Sequence, residues 1–143
     1  MLLAPLCGVE RHFVAQRLTG SILVIDDDKS ARLLLERVLK RVGHKVRLVD
    51  NGQQGLDVMA KESFDVLICD RNLPDVDGME VLQKAHTRHP TMKTVIVTGS
   101  PTAQLQSSAE ALGIFAYVAK PFALTELVSA CEGALRARHR GTS

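Results

Sequence analysis

Three carboxylates stand in a row, Asp26, Asp27 and Asp28, directly after the apolar run Ile22 to Ile25. Like charges crowded at the end of a buried segment repel, raise one another's pKa values and cost stability unless something positive sits among them. The run therefore asks for a cation. Groups able to complete such a site end three other apolar runs: Asp70 follows "VLIC", Thr98 follows "TVIV", and Lys120, with Pro121 after it, follows "AYVA". Oxygen ligands are what Mg2+ takes, keeping several waters while carboxylates and a phosphate complete its octahedron. Beside that ion Asp70 could act as a nucleophile toward a phosphoryl group, because carboxylates form aspartyl-phosphates. Lys120 would meet the charge developing on the phosphoryl oxygens, and the Thr98 hydroxyl would donate to one of them.

These residues can act together only if the elements carrying them converge. The runs 22–25, 66–69, 94–97 and 116–119 are short, continuous and rich in β-branched residues, the pattern of strands buried on both faces of a parallel sheet. "KVRLV", Lys45 to Val49, alternates instead, as an edge strand with one wetter face does. Between the strands lie amphipathic stretches. The first places Leu34, Leu35, Val38, Leu39 and Val42 on one helical face, with Ser30 as its N-cap and Gly43 as its stop. Further helices are expected over about 53–61, from Gly78 to before Pro90, and over about 102–112; the last carries Leu124, Leu127, Val128, Cys131 and Leu135 on one face. Strict alternation of strand and helix predicts a doubly wound α/β domain, a flavodoxin-like three-layer fold whose five-stranded parallel sheet has the order 2-1-3-4-5. In that order strands one, three, four and five are adjacent. Their carboxyl ends, and the residues just named, face one crevice.

The totals fit a single domain. A chain of 143 residues with 45% apolar and 24% charged residues is long enough for one core and has ordinary globular composition. Its net charge of +2 is too small to imply nucleic acid, and it is unevenly placed, with basic ends flanking a mildly acidic body. Cys7, Cys69 and Cys131 are odd in number and form no CxxC pattern, which favours a reducing cytosol over disulfides or zinc. The apolar runs are too short for a bilayer span, and the opening "MLLAPLCGVERHF" lacks the basic start of a signal peptide. A cytoplasmic location is expected.

Taken together, four motifs resemble those of the receiver domains of two-component response regulators: "ILVIDDDKSARLLLERVL", "DVLICDRNLPDVDGMEVL", "TVIVTGS" and "AYVAKPF", in that order over residues 21–135. The resemblance implies roles residue by residue. Asp70 would be the phosphoacceptor. Asp27 would bind Mg2+ directly, Asp26 mainly through water, and the backbone carbonyl of Asn72 would be a further ligand alongside Asp70. Lys120 would pair with the phosphoryl group, across a Lys120–Pro121 peptide in the cis form. Thr98 and Tyr117 would be the pair that rearranges on phosphorylation. Asp28 is the spare carboxylate, reading with Lys29 as a solvated turn, and Asp75 and Asp77 read as loop chemistry before Gly78.

The protein so implied is no enzyme in the ordinary sense but a phosphoacceptor that assists its own phosphotransfer and slow autodephosphorylation. Its partners would be a histidine kinase or histidine phosphotransfer protein and, downstream, an effector protein or an output domain outside these residues. No direct binding of nucleic acid or membrane by this segment is expected. Residues 1–20 read as an extension or linker, with "VERHFVAQRL" able to form a short helix, and 136–143 as a basic tail whose charge suits a helix end. Phe115 and Ala116 stand where the family branch with winged-helix outputs tends to have acidic residues, so Phe115 is expected near the surface as part of a partner patch.

Three other readings compete. A phosphorylation-independent interaction module on the same fold would not need Asp70, Thr98 and Lys120 together. A phosphatase of the haloacid dehalogenase type wants Asp-x-Asp followed by Gly-Thr, where this chain has Lys29 and Ser30. A flavin-binding module is weaker still, since no Ser/Thr/Gly-rich phosphate loop follows Ile25.

Overall fold

A computed structural model describes residues 18–141. The expectations for Cys7 and for the stretch from Val9 to Arg17 lie outside the described residues. Five strands alternate with five helices: β1 Ser21–Ile25, α1 Lys29–Val42, β2 Lys45–Val49, α2 Gly52–Lys61, β3 Val66–Asp70, α3 Gly78–Arg88, β4 Lys93–Thr98, α4 Ala103–Ala111, β5 Ala116–Ala119 and α5 Leu124–Gly141. All pairings are parallel, in the order β2-β1-β3-β4-β5. The expected doubly wound sheet is the one observed. The basic residues from Arg136 to Arg140 belong to α5, whose last turn carries Arg138, His139 and Arg140.

Strand periodicity divides the core into two layers. Leu23, Ile25, Leu67, Cys69 and Ile96 point to one side, where Met59 of α2, Val81, Leu82 and Ala85 of α3 and Ala109 of α4 cover them. Ile22, Val24, Val66, Ile68, Val95, Val97 and Val118 point to the other, against Leu35 and Leu39 of α1 and Leu127, Cys131, Ala134 and Leu135 of α5. With both faces covered, the central strands have no use for polar alternation, which is why they read as continuous apolar runs. Fully burying each such side chain is worth about 1.5–3 kcal/mol.

Two local expectations are corrected. The N-cap of α1 is Asp28, not Ser30: the Asp28 carboxylate accepts from the backbone N–H groups of Ser30 and Ala31 at 2.9 and 3.3 Å. The helix starts two residues earlier because the Asp26 carboxylate accepts the Asp28 N–H at 2.9 Å, turning the chain immediately after the strand. Asp28 is exposed but is a cap rather than a mere solvated turn. Leu34 does not join the buried stripe either. It is 46% exposed, while Leu35 and Leu39, four residues apart, carry the packing against the sheet. Gly43 ends α1 as expected, with a φ of 112° that only glycine adopts freely.

Candidate functional site

The carboxyl ends of β1 and β3 lie side by side, and each delivers a carboxylate at the point where its apolar run stops. Asp26 and Asp70 are each 5% exposed, whereas Asp27 faces solvent. One carboxylate oxygen from each of the three lies within 4.8 Å of the others. The expected convergence therefore includes Asp27 although it is exposed.

The Lys120 ammonium enters this set. The Lys120 Nζ donates to Asp70 Oδ2 at 2.7 Å and stands 3.7 Å from Asp26 Oδ2. The peptide that follows it, Lys120–Pro121, is cis. The Lys120 ammonium does not by itself balance three carboxylates, two of which are buried. Burial pushes the Asp26 carboxyl above its usual range; the Asp28 N–H and Lys120 oppose that rise, and the charges of Asp70 and Asp27 add to it. Burial works against the charge of Lys120, but the hydrogen bond to Asp70 and the nearby Asp26 outweigh it, so its pKa stands above the ordinary lysine value. A divalent cation with a taste for oxygen would balance these charges, and an all-carboxylate donor set fits Mg2+.

Backbone bonds hold both buried acids in place. Arg32, one turn into α1, donates to the Asp26 carbonyl oxygen at 2.7 Å, a contact visible in the sequence only once the position of the helix is known. The Asn72 N–H donates to Asp70 Oδ1 at 2.9 Å, so Asn72 sits beside the cluster at the start of the β3–α3 loop. Gly78 makes that loop possible. A Cβ there would overlap the carbonyl oxygen of Asp70 and press on the backbone of Arg71, so only glycine lets α3 begin this close to β3. Asp77 caps α3 through Met79 N–H at 2.9 Å, and Asp75 caps α2 from across the sheet edge. Both do more than ordinary loop residues would.

Thr98 and Tyr117 are linked differently. Thr98, at the end of β4, is fully buried, and its hydroxyl accepts the Ser100 N–H at 3.0 Å. Tyr117 pairs with Ile96 in the β4–β5 register and packs on the layer that holds α2, α3 and α4. Its hydroxyl reaches over that layer to accept the Thr102 N–H at 3.1 Å, at the N-cap of α4. Beside Lys120 a groove of about 550 Å³ opens, lined by Leu34, Leu35, Pro121, Phe122 and Leu124 together with Gly99. Phe115 is 41% exposed, with its ring edge over Gly133 of α5, as expected for a surface residue. Cys69 is buried among the acids, which raises its thiol well above the ordinary value and leaves it unreactive. Among the described residues, no helix is long and apolar enough to cross a membrane.

Comparison with known proteins agrees with this geometry. Residues 22–132 match the model of the response regulator receiver domain family. The chain is 35% identical over 116 residues to the DNA-binding transcriptional regulator NtrC of Escherichia coli strain K12, covering 81% of this chain and 25% of that protein. It is 30% identical over 106 residues to the sporulation initiation phosphotransferase F of Bacillus subtilis strain 168, covering 74% of this chain and 86% of that protein. It spans about a quarter of the NtrC relatives and most of the sporulation protein. Among solved structures, a CheY-like response regulator receiver domain protein from Methanospirillum hungatei superposes with a TM-score of 0.82 at 28% identity, over 87% of this chain and 99% of that one.

Proposed function

Because the chain belongs to the response regulator receiver domain family, we propose that residues 21–135 form a Mg2+-dependent phosphoacceptor that takes a phosphoryl group onto Asp70. The observation that carries this reading is the Asp70 carboxylate, buried yet held by Lys120 at 2.7 Å and by the Asn72 N–H at 2.9 Å, with Asp26 and Asp27 alongside. A nucleophile so placed needs no further orientation.

Asp26, Asp27, Asp70 and the Asn72 carbonyl would hold the Mg2+. The ion would supply charge neutralisation at the phosphoryl oxygens and relieve the repulsion between carboxylates. An oxygen of Asp70 attacks the phosphorus while the bond to the donor nitrogen of a phosphohistidine breaks, leaving that imidazole to take up a proton. Lys120 exchanges its contact with Asp70 for one with a phosphoryl oxygen. Thr98, whose hydroxyl now accepts from Ser100, keeps its proton to donate to another.

The donor would be a histidine kinase or a histidine phosphotransfer protein, seated over the apolar groove beside Lys120, where exposed Leu34 finds a use. Phosphorylation would shift the population toward a state in which Thr98 and Tyr117 move inward and the surface of α4, β5 and α5 changes, a face that includes Phe115. The reader of that face would be an effector protein or an output domain, in the cytosol.

Acetyl phosphate and Mg2+ followed by intact mass spectrometry test the assignment. Wild type should gain one phosphoryl group, a gain abolished when a chelator is present from the start, and Asp70→Ala should gain none. Equal incorporation by the two proteins, or none by wild type, overturns it.

A further inference from the structure

The β3–α3 loop is tied at its base by its own backbone. Asn72 and Asp77 face each other as an isolated antiparallel bridge, and the Gly78 N–H donates to the Arg71 carbonyl at 2.7 Å. At its tip stands Asp75, whose two carboxylate oxygens reach a different part of the chain. Oδ1 accepts the Gly52 N–H and Oδ2 the Gln53 N–H, each at 2.9 Å, across 23 and 22 residues of sequence. These are the first amides of α2, donors that a helix cannot satisfy internally. Asn51, the residue in capping position, takes only the next one, Gln54 N–H, at 2.9 Å. Asp75 is thus the partner of two donors that the local cap leaves to it.

The approach is built for closeness. A Cβ on Gly52 would overlap the side chain of Val76, so only glycine admits the loop to this distance. The two hydrogen bonds also hold the Asp75 carboxyl below its ordinary range, which means that they favour its charged form. Asn72 belongs to the tie at the base, three residues before the tie at the tip.

We propose that Asp75 is a positioning residue for the metal site: by bridging the loop tip to the N-terminus of α2, it fixes the Asn72 carbonyl relative to Asp26, Asp27 and Asp70 and so sets the affinity for Mg2+. This rests on the Mg2+-dependent reading given above. Asp75 touches none of the assigned ligands and acts through the backbone that carries one of them. Outer partners that orient ligands commonly change metal affinity by roughly tenfold or more when removed.

The test is calorimetric titration of Mg2+ into the full chain as wild type, Asp75→Ala, Asp75→Asn and Asp50→Asn, well below the unfolding temperature, together with amide exchange of Gly52 and Gln53 without metal. Asp50 is an exposed carboxylate at the same sheet edge that, among the described residues, accepts only from the Asn51 side chain, and so controls for charge alone. Asp75→Ala should raise the Mg2+ dissociation constant roughly tenfold. Asp75→Asn should raise it less, since its one carbonyl oxygen keeps one of the two bonds, and Asp50→Asn should stay close to wild type. Both Asp75 variants should speed exchange at Gly52 and Gln53. A purely structural cap would produce the faster exchange while leaving the dissociation constant of Asp75→Ala unchanged, and that result would overturn the proposal. So would an equal loss in Asp50→Asn and Asp75→Asn, which would assign the effect to charge. Failure of wild type to bind Mg2+ at all would instead overturn the metal reading beneath it.

Discussion

The loops leaving β3 and β4 start on neighbouring strands, each beside a buried polar residue of the site, Asp70 in one and Thr98 in the other. They are held in opposite ways. The β3–α3 loop carries the Asn72–Asp77 bridge, the Gly78 N–H to Arg71, the Asp75 clasp on α2, and a glycine packed so closely that no side chain fits. The β4–α4 loop is exposed from Gly99 through Gln104, and α4 buries only Leu105 and Ala109. Its ties to the body of the domain run through two hydroxyls, Thr98 to Ser100 N–H and Tyr117 to Thr102 N–H. Rigidity and looseness are therefore assigned within one sheet edge. The backbone beside Asp70 is over-determined, whereas the segment after Thr98 is weakly packed, as regions that open locally at low cost generally are.

Gly78→Ala offers the largest break in that contrast. The added methyl must push apart the β3 end and the α3 start, both of which are backbone, and overpacking of this kind costs about 3 kcal/mol. Urea unfolding should show the midpoint falling with the slope unchanged. A midpoint at the wild-type value would mean that the β3–α3 loop yields as readily as its neighbour.

Tyr117→Phe probes the loose side. It removes only the hydroxyl that accepts from Thr102, so the loss is one hydrogen bond at an exposed position, about 1 kcal/mol. Hydrogen exchange should accelerate at Thr102 and the first turn of α4 while amides in β3 keep their protection. Spread of the effect into β3 would show that the two sides are one cooperative unit rather than two.

Much of this contrast could be read from sequence, and the reasons are physical. Strands covered on both faces leave an unbroken β-branched signature, and parallel order forces their carboxyl ends to one edge, so Asp26, Asp70, Thr98 and Lys120 could be placed there without coordinates. Helix starts were less legible. "DDDKS" offers two capping residues two positions apart, and the choice fell to Asp28 because of the turn that Asp26 makes, a side-chain bond that no periodicity reports. Leu34 lies at the margin of an apolar stripe whose centre is Leu35 and Leu39, and sequence spacing alone does not say how wide a strip the sheet covers. Asp75 was opaque for a different reason: its partners are 22 and 23 residues away, and "LPDVDG" looks like any polar turn until α2 is known to begin beside it.

Acid should loosen the clasped side, by less than either substitution. The Asp75 pKa is depressed below its ordinary value of 3.8 in the folded protein by the Gly52 and Gln53 N–H groups. A depressed carboxyl contributes stability that is fully present above 3.8 and lost as pH falls through the lower folded value. The difference in unfolding free energy between wild type and Asp75→Asn should therefore be constant at neutral pH and shrink below pH 3.8. A difference that persists unchanged into strong acid would mean that the carboxylate charge does not contribute to the clasp.

The smallest expected effect is the mirror of the largest. A Cβ built on Gly99 meets nothing within 4 Å, one strand away from a glycine whose Cβ would collide with backbone. Gly99 has no left-handed φ to protect, since among the described residues only Gly43 and Gly113 have a positive φ. Gly99→Ala should change the unfolding free energy by no more than about 0.5 kcal/mol, in either direction. The methyl would nevertheless be added to the lining of the groove beside Lys120. A donor protein that fills this groove would meet the methyl, whereas acetyl phosphate would not need the groove's full width. Phosphorylation by a protein donor should then slow relative to phosphorylation by acetyl phosphate, with stability unchanged. Equal slowing with both donors would place the obstruction at Asp70 itself, and a large loss of stability would mean that the β4–α4 loop is packed as tightly as the loop beside it.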